Sequence, residues 1–175
     1  MSFNEFNISA ELIKGLEEDG ITEPTQIQIK SLPHSLAGED IIGMSRTGSG
    51  KTLAFGIPVL ERIEVGAGPQ AIVLAPTREL AVQISKNFQK WGQYIGVTVA
   101  TVFGGIALGP QVDEMAACEI ICATPGRMLD HLQRENVDLS NMFMFCLDEA
   151  DKMVDMGFIE DVEKIIQATG EKRQI

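Results

Sequence analysis

The sequence predicts an α/β domain with a mainly parallel central sheet. Three observations predict it. Short, almost continuously apolar runs recur along the chain, as strands covered on both faces do. Amphipathic stretches of helical length lie between them, which is the alternation of a sheet with crossover helices. The stretch "SRTGSGKT" (45–52) falls between the first run and the helix after it, where open α/β sheets bind ligands.

The elements follow in chain order. Two helices, 10–18 and 25–31, precede the sheet. The expected strands are "DIIGM" (40–44), "AIVLA" (71–75), "VTVATVF" (97–103), "EIICAT" (119–124) and "FMFCLD" (143–148). Helices are expected over 51–63, 78–94, 111–117, 125–134 and 158–168. Pro58 falls inside the first of these and should kink it. Thr77 and Thr124 stand where they can cap helices, and Pro125 suits a first helical position.

Composition bounds the function. A chain of 175 residues, 45% hydrophobic, suits one domain with a substantial core. No apolar run approaches the roughly 18 residues of a membrane span, and the N-terminus lacks a basic start followed by an apolar block. Cys118, Cys122 and Cys146 sit in or beside apolar runs without a histidine cluster, so they read as reduced core residues of a cytoplasmic protein. The net charge of −11 gives little nonspecific attraction for nucleic acid, so any such site must be a local patch or use backbone amides.

"SRTGSGKT" reads as a phosphate-binding loop. Ser45, Thr47, Gly48, Ser49 and Gly50 form a flexible turn whose amides can curl around an anion, beside a positive helix N-terminus. Lys51 can reach outer phosphates, and the Thr52 hydroxyl can ligate Mg²⁺. The strict pattern begins with glycine; Ser45 stands there and keeps the position small. Such a site needs an acidic residue at the end of another apolar strand, and "FMFCLDEAD" supplies it. Asp148 would hold the metal through its water shell, and Glu149 would polarise the attacking water. Read alone, Asp148, Glu149 and Asp151 are also compatible with a solvated helix start.

Seven segments in order now carry a family resemblance. They are Phe3, "GITEPTQIQ" (20–28), "SRTGSGKT", "PTRELA" (76–81), "GG" (104–105), "TPGR" (124–127) and "DEAD" (148–151). The chain resembles the first of the two RecA-like domains of the DEAD-box RNA helicases. The resemblance implies a three-layer RecA-like P-loop domain over 39–175, preceded by N-terminal helices with the Q motif over 1–38, the two forming one structural domain. It implies ATP and Mg²⁺ as cofactors. Gln28 would bond the adenine edge and Phe3 would stack near the base, with Thr25 helping to order the loop; without the resemblance, Gln28 reads as an exposed helix residue and Phe3 as a core anchor.

The resemblance also implies RNA as a partner, gripped by its backbone without sequence reading. Pro76, Thr77, Arg78, Gly104, Gly105, Thr124, Pro125, Gly126 and Arg127 would form that track. Arg78 could instead pair with Glu79 or Asp151. Asp151 would couple the nucleotide site to a later S-A-T motif. The sequence ends at "GEKRQI", before that motif and before a second RecA-like domain, so it reads as a fragment. The expectation is weak adenine-nucleotide binding, very slow hydrolysis and no unwinding alone, with protein cofactors as further partners. Two rivals remain: another P-loop ATPase acting on DNA, and a degenerate domain that only docks a partner. A dinucleotide-binding Rossmann enzyme is disfavoured, because G-x-G-x-x-G is absent.

Overall fold

The computed structural model describes residues 1–175. After a 3-10 turn at Phe3–Phe6 come α1 (Ala10–Glu18), α2 (Gln26–Leu36) and α3 (Lys51–Arg62). Then follow β1 (Ala71–Leu74), α4 (Arg78–Trp91), β2 (Val99–Val102), α5 (Leu108–Ala116), β3 (Ile120–Ala123), α6 (Pro125–Gln133), β4 (Met144–Leu147), α7 (Ala150–Asp155) and α8 (Ile159–Ala168). The four strands form a single parallel sheet in the order β2-β3-β1-β4.

The sheet is covered on both faces, which is why its strands are apolar throughout. Ala71, Val73, Ile120 and Cys122 point into a cluster with Leu12, Leu16, Leu32, Ile57 and Phe88. Their neighbours Ile72, Leu74, Ile121 and Ala123 point the other way, onto Met115, Met128, Val162 and Ile165. Thus α1 to α4 form one outer layer and α5, α6 and α8 the other. The path from β1 to β2 runs through α4 on the first face. The returns to β3 and then β4 run through α5 and α6 on the second. Reversing direction along the sheet therefore changes face, as crossovers of a single hand require. The segment 1–38 has no core of its own, since Phe3, Leu12, Leu16 and Leu32 are buried in the cluster shared with the sheet.

The expected strand at 40–44 is absent. Strand geometry needs a ladder, and this segment has one rung: Ile41 N donates to Ile175 O at 2.9 Å. Ile42 and Met44 are 94% and 88% exposed. Gln174 lies between this segment and β4, bridging Met144, with Phe145 N donating to Gln174 O and Gln174 N to Phe143 O, both at 2.8 Å. The helices differ from expectation mainly at their ends. α2 runs on through Pro33 to Leu36, and α3 passes Pro58 without interruption. α4 stops at Trp91, where Gly92 N donates back to Phe88 O at 2.9 Å. The short α7 was not expected. The three cysteines are buried and free, and burial pushes the Cys118 and Cys146 thiols up to about 12, which keeps them inert.

Candidate functional site

Strand register brings the candidate residues to one end of the sheet. Leu74 lies opposite both Ala123 and Leu147, and Ala123 opposite Val102, so the strands end level. Each ladder continues one rung further: Ala75 N to Ala123 O at 2.9 Å, Thr124 N to Val102 O at 2.9 Å, and Asp148 N to Leu74 O at 3.0 Å. The segments 76–78, 104–105, 124–127 and 148–149 all leave the sheet there.

The phosphate-loop candidate precedes α3. Gly48 and Gly50 have φ of 78° and 92°, a region that favours glycine. The loop folds on itself: Lys51 Nζ donates to Ser45 O at 2.5 Å, and the Ser45 and Ser49 hydroxyls share a hydrogen bond of 2.5 Å. The serine in place of the usual glycine thus contributes a bond of its own. Ser45 to Ser49 line an open cleft of about 440 Å³ with no hydrophobic side chain in its wall.

Asp148 is 8% exposed at the end of β4. Burial, and secondly the neighbouring Glu149 charge, hold its carboxyl above the usual range, while the Lys51 charge pulls it back down. A buried carboxylate with an incomplete counter-charge, close enough to feel the loop lysine, fits a divalent cation. Thr52, half-buried in the first turn of α3, supplies a hydroxyl of the kind such an ion takes. Glu149 has a left-handed backbone, φ 53°, uncommon for a non-glycine residue, and its carboxylate lies 3.2 Å from Lys152 Nζ. Asp151 is exposed on α7.

Thr25 and Gln28 form a capping box at the start of α2, with Thr25 N donating to Gln28 Oε1 at 3.0 Å. Gln28 is buried, and its Nε2 donates to Gly50 O at 3.0 Å. A Cβ at Gly50 would lie 2.4 Å from that Nε2 and 2.8 Å from Thr25 Oγ1, so the loop glycine is required by this contact as well as by its φ. Gln28 thus bonds the loop directly, and the Thr25 side chain lies against Gly50. Phe3 requires a correction. It is 3% exposed and packed in the core, so it presents no free face for stacking and serves as an anchor.

The fourth group is the candidate track of turns and arginines. The Thr77 hydroxyl caps α4, accepting from Leu80 N at 3.2 Å, whereas the Thr124 hydroxyl accepts no capping bond and α6 opens on Pro125 instead. The Arg78 guanidinium lies over the Phe103 ring at 4.4 Å and pairs with neither Glu79 nor Asp151. Pro76 is buried, Gly104, Gly105 and Gly126 are exposed, and Gly105 has φ 88°. Arg127 Nη1 donates to Ile106 O at 2.8 Å and to Gln111 Oε1 at 3.3 Å. Sequence reasoning missed Phe103 and Gln111, since an apolar strand end and one polar residue in an amphipathic run carry no signal of their own.

A family model for DEAD/DEAH box helicases matches residues 25–175. The chain is 44% identical to the DEAD-box ATP-dependent RNA helicase CshA of Streptococcus pneumoniae, over 99% of this chain and 34% of that protein. Its backbone matches the crystal structure of a DEAD box protein from Methanococcus jannaschii with TM-score 0.97 and 41% identity, over 100% of this chain and 48% of the other. It matches a Saccharomyces cerevisiae Dbp5 variant bound to RNA and ADP BeF3 with TM-score 0.91 and 32% identity, over 99% of this chain and 44% of the other. The chain thus spans between a third and a half of the length of these relatives.

Proposed function

Because the chain belongs to the DEAD/DEAH box helicase family, we propose that it is the nucleotide-binding RecA-like half of an ATP-dependent RNA helicase. The observation that carries the reading is the buried Asp148 at the carboxyl end of the sheet, near enough to the loop for the Lys51 charge to act on it. In this reading the amides of 47–50 and the Lys51 ammonium would hold the phosphates, and Thr52, with Asp148 acting through the ion's water shell, would hold Mg²⁺. The cation would neutralise charge developing on the transferred phosphoryl group. Glu149 takes the proton of the attacking water. Gln28 is 2% exposed, so it would have to turn outward to offer the N–H and acceptor lone pair left beyond its bonds to Thr25 and Gly50, the pair that adenine's edge complements and guanine's does not.

The RNA part of the proposal rests on helix-start amides and two arginines within an acidic domain. Phosphate contacts from Arg78, Arg127 and the turns at 104–105 and 124–126 hold a strand without reading it. Asp151, exposed beside the site, is available to a second domain. Such a domain would supply the arginines whose absence lowers turnover by about 10³-fold or more. On this chain alone, hydrolysis is slow and RNA stimulates it little.

Calorimetric titration with Mg-ADP and Mg-GDP tests the nucleotide reading. The expected result is adenine-selective binding that disappears in Lys51→Ala. Equal affinity for the two nucleotides overturns the role given to Gln28. No binding by a chain that still melts cooperatively overturns the pocket.

A further inference from the structure

Beneath the cationic track lies a buried polar group that the nucleotide site does not use. Gln111, in the first turns of α5, is 1% exposed. Its Nε2 donates to Phe103 O at 2.8 Å, and its Oε1 accepts from Arg127 Nη1 at 3.3 Å and from His131 Nε2 at 2.9 Å. These partners fix the amide. A carbonyl only accepts and a guanidinium only donates, so Nε2 must face Phe103 and Oε1 must face Arg127. The same reasoning fixes His131 as the tautomer protonated on Nε2, leaving Nδ1 to accept from Asn136 Nδ2 at 3.1 Å. The imidazole is fully buried, and burial followed by the Arg127 charge lowers its affinity for a second proton.

Three segments therefore meet on one side chain: the end of β2, the start of α5 and the first two turns of α6. Phe103 also carries Arg78 on its ring, and Arg127 also bonds Ile106 O. The turn 103–106 is thus gripped at both ends by the two arginines of the track, with Gln111 underneath.

We infer that Gln111 is a positioning residue for backbone recognition: it holds the turn 103–106 and the Arg127 guanidinium in the arrangement that meets successive phosphates of a single RNA strand. This rests on the RNA reading above. An unheld arginine must be immobilised at the moment of binding, which weakens the complex about threefold to tenfold for one long side chain.

The test is fluorescence anisotropy of a labelled single-stranded oligoribonucleotide at several salt concentrations, with the 175-residue chain and the variants Gln111→Met, Arg127→Ala and their combination. Mg-ADP binding, whose candidate residues make no bond to Gln111, reports that each variant is folded. Gln111→Asn, one methylene too short for all its partners, replaces methionine if that variant does not melt cooperatively. Expected are a threefold to tenfold loss in the Gln111 variant and a larger loss in Arg127→Ala with a salt slope flatter by about 0.7. The combined variant should lose less than the product of the two single losses. Unchanged RNA affinity in the Gln111 variants beside a weakened Arg127→Ala, or losses that multiply, overturns the positioning role and leaves the RNA reading standing. No RNA binding by the parent chain, or full binding by Arg127→Ala, overturns the RNA reading and this inference together.

Discussion

Asp148 shows how a single residue trades stability for chemistry. Its carboxyl sits above the usual range chiefly because it is buried, and next because Glu149 is beside it. The sign follows from linkage. The folded chain prefers the protonated form, so the carboxyl costs nothing below its ordinary value of 3.8, and stability is lost as pH rises through its higher folded value. Asp148→Asn removes that loss. It should melt above the parent chain at pH 7 by about 2–4 °C for each kcal/mol recovered. The gap should open as pH rises from about 4 and then level off. Calorimetric melts across pH check this, and a variant that melts at or below the parent throughout would show that the burial penalty is already offset. The same substitution should abolish Mg²⁺-dependent strengthening of nucleotide binding. Lys51, Thr52 and Asp148 were legible in the sequence as a candidate set, because the roles proposed for them each need a particular functional group. The partner of Gln28 was not, since Gly50 is reached across the fold rather than along the chain.

At the scale of elements, close approach matters more than composition. α1 crosses α4 so tightly that a Cβ at Gly15 would lie 2.1 Å from the backbone oxygen of Trp91. The crossing is pinned alongside by Asp19, which bonds both Lys90 and, at 2.9 Å, Trp91 Nε1. Gly15→Ala must push two helices apart and should cost about 1–3 kcal/mol in urea unfolding. Gly109, in α5, has open space around its Cβ position. Gly109→Ala should therefore gain up to about 1 kcal/mol. Equal effects from the two substitutions would show that helix propensity, not packing, governs both.

The strands β1 to β4 were legible as apolar runs because both faces of the sheet are covered. Residues 40–44 were also read as an apolar run and form no strand, because composition does not reveal whether a neighbour supplies the ladder. α7 escaped notice because six residues are too short to display a helical period.

Across the whole molecule, one flank of the sheet is unlike the rest. β4 is followed by a single bridging residue, Gln174, whose amide donates to Ser35 O and Glu39 O and whose Oε1 accepts from Arg62 at 2.7 Å. Beyond it Ile42 and Met44 present bare apolar surface. An edge of this kind promotes association between copies. Ile42→Lys should raise the concentration at which the chain aggregates and leave its melting temperature nearly unchanged. Light scattering during a thermal ramp measures both, and an unaltered onset would show that this edge is not what sticks.

That flank also sets when the approach to the phosphate loop is closed. The residues that would hold a nucleotide begin at Ser45, yet β1 pairs only with β3 and β4, and the rung on Ile41 waits for Ile175. On a ribosome adding about 5–20 residues per second, the segment leading into the loop would wait on the order of ten seconds for that rung, although Gln28 can already hold Gly50. The stretch that feeds the loop is written early and closed late, so a chaperone would meet it first as an open strand of peptide.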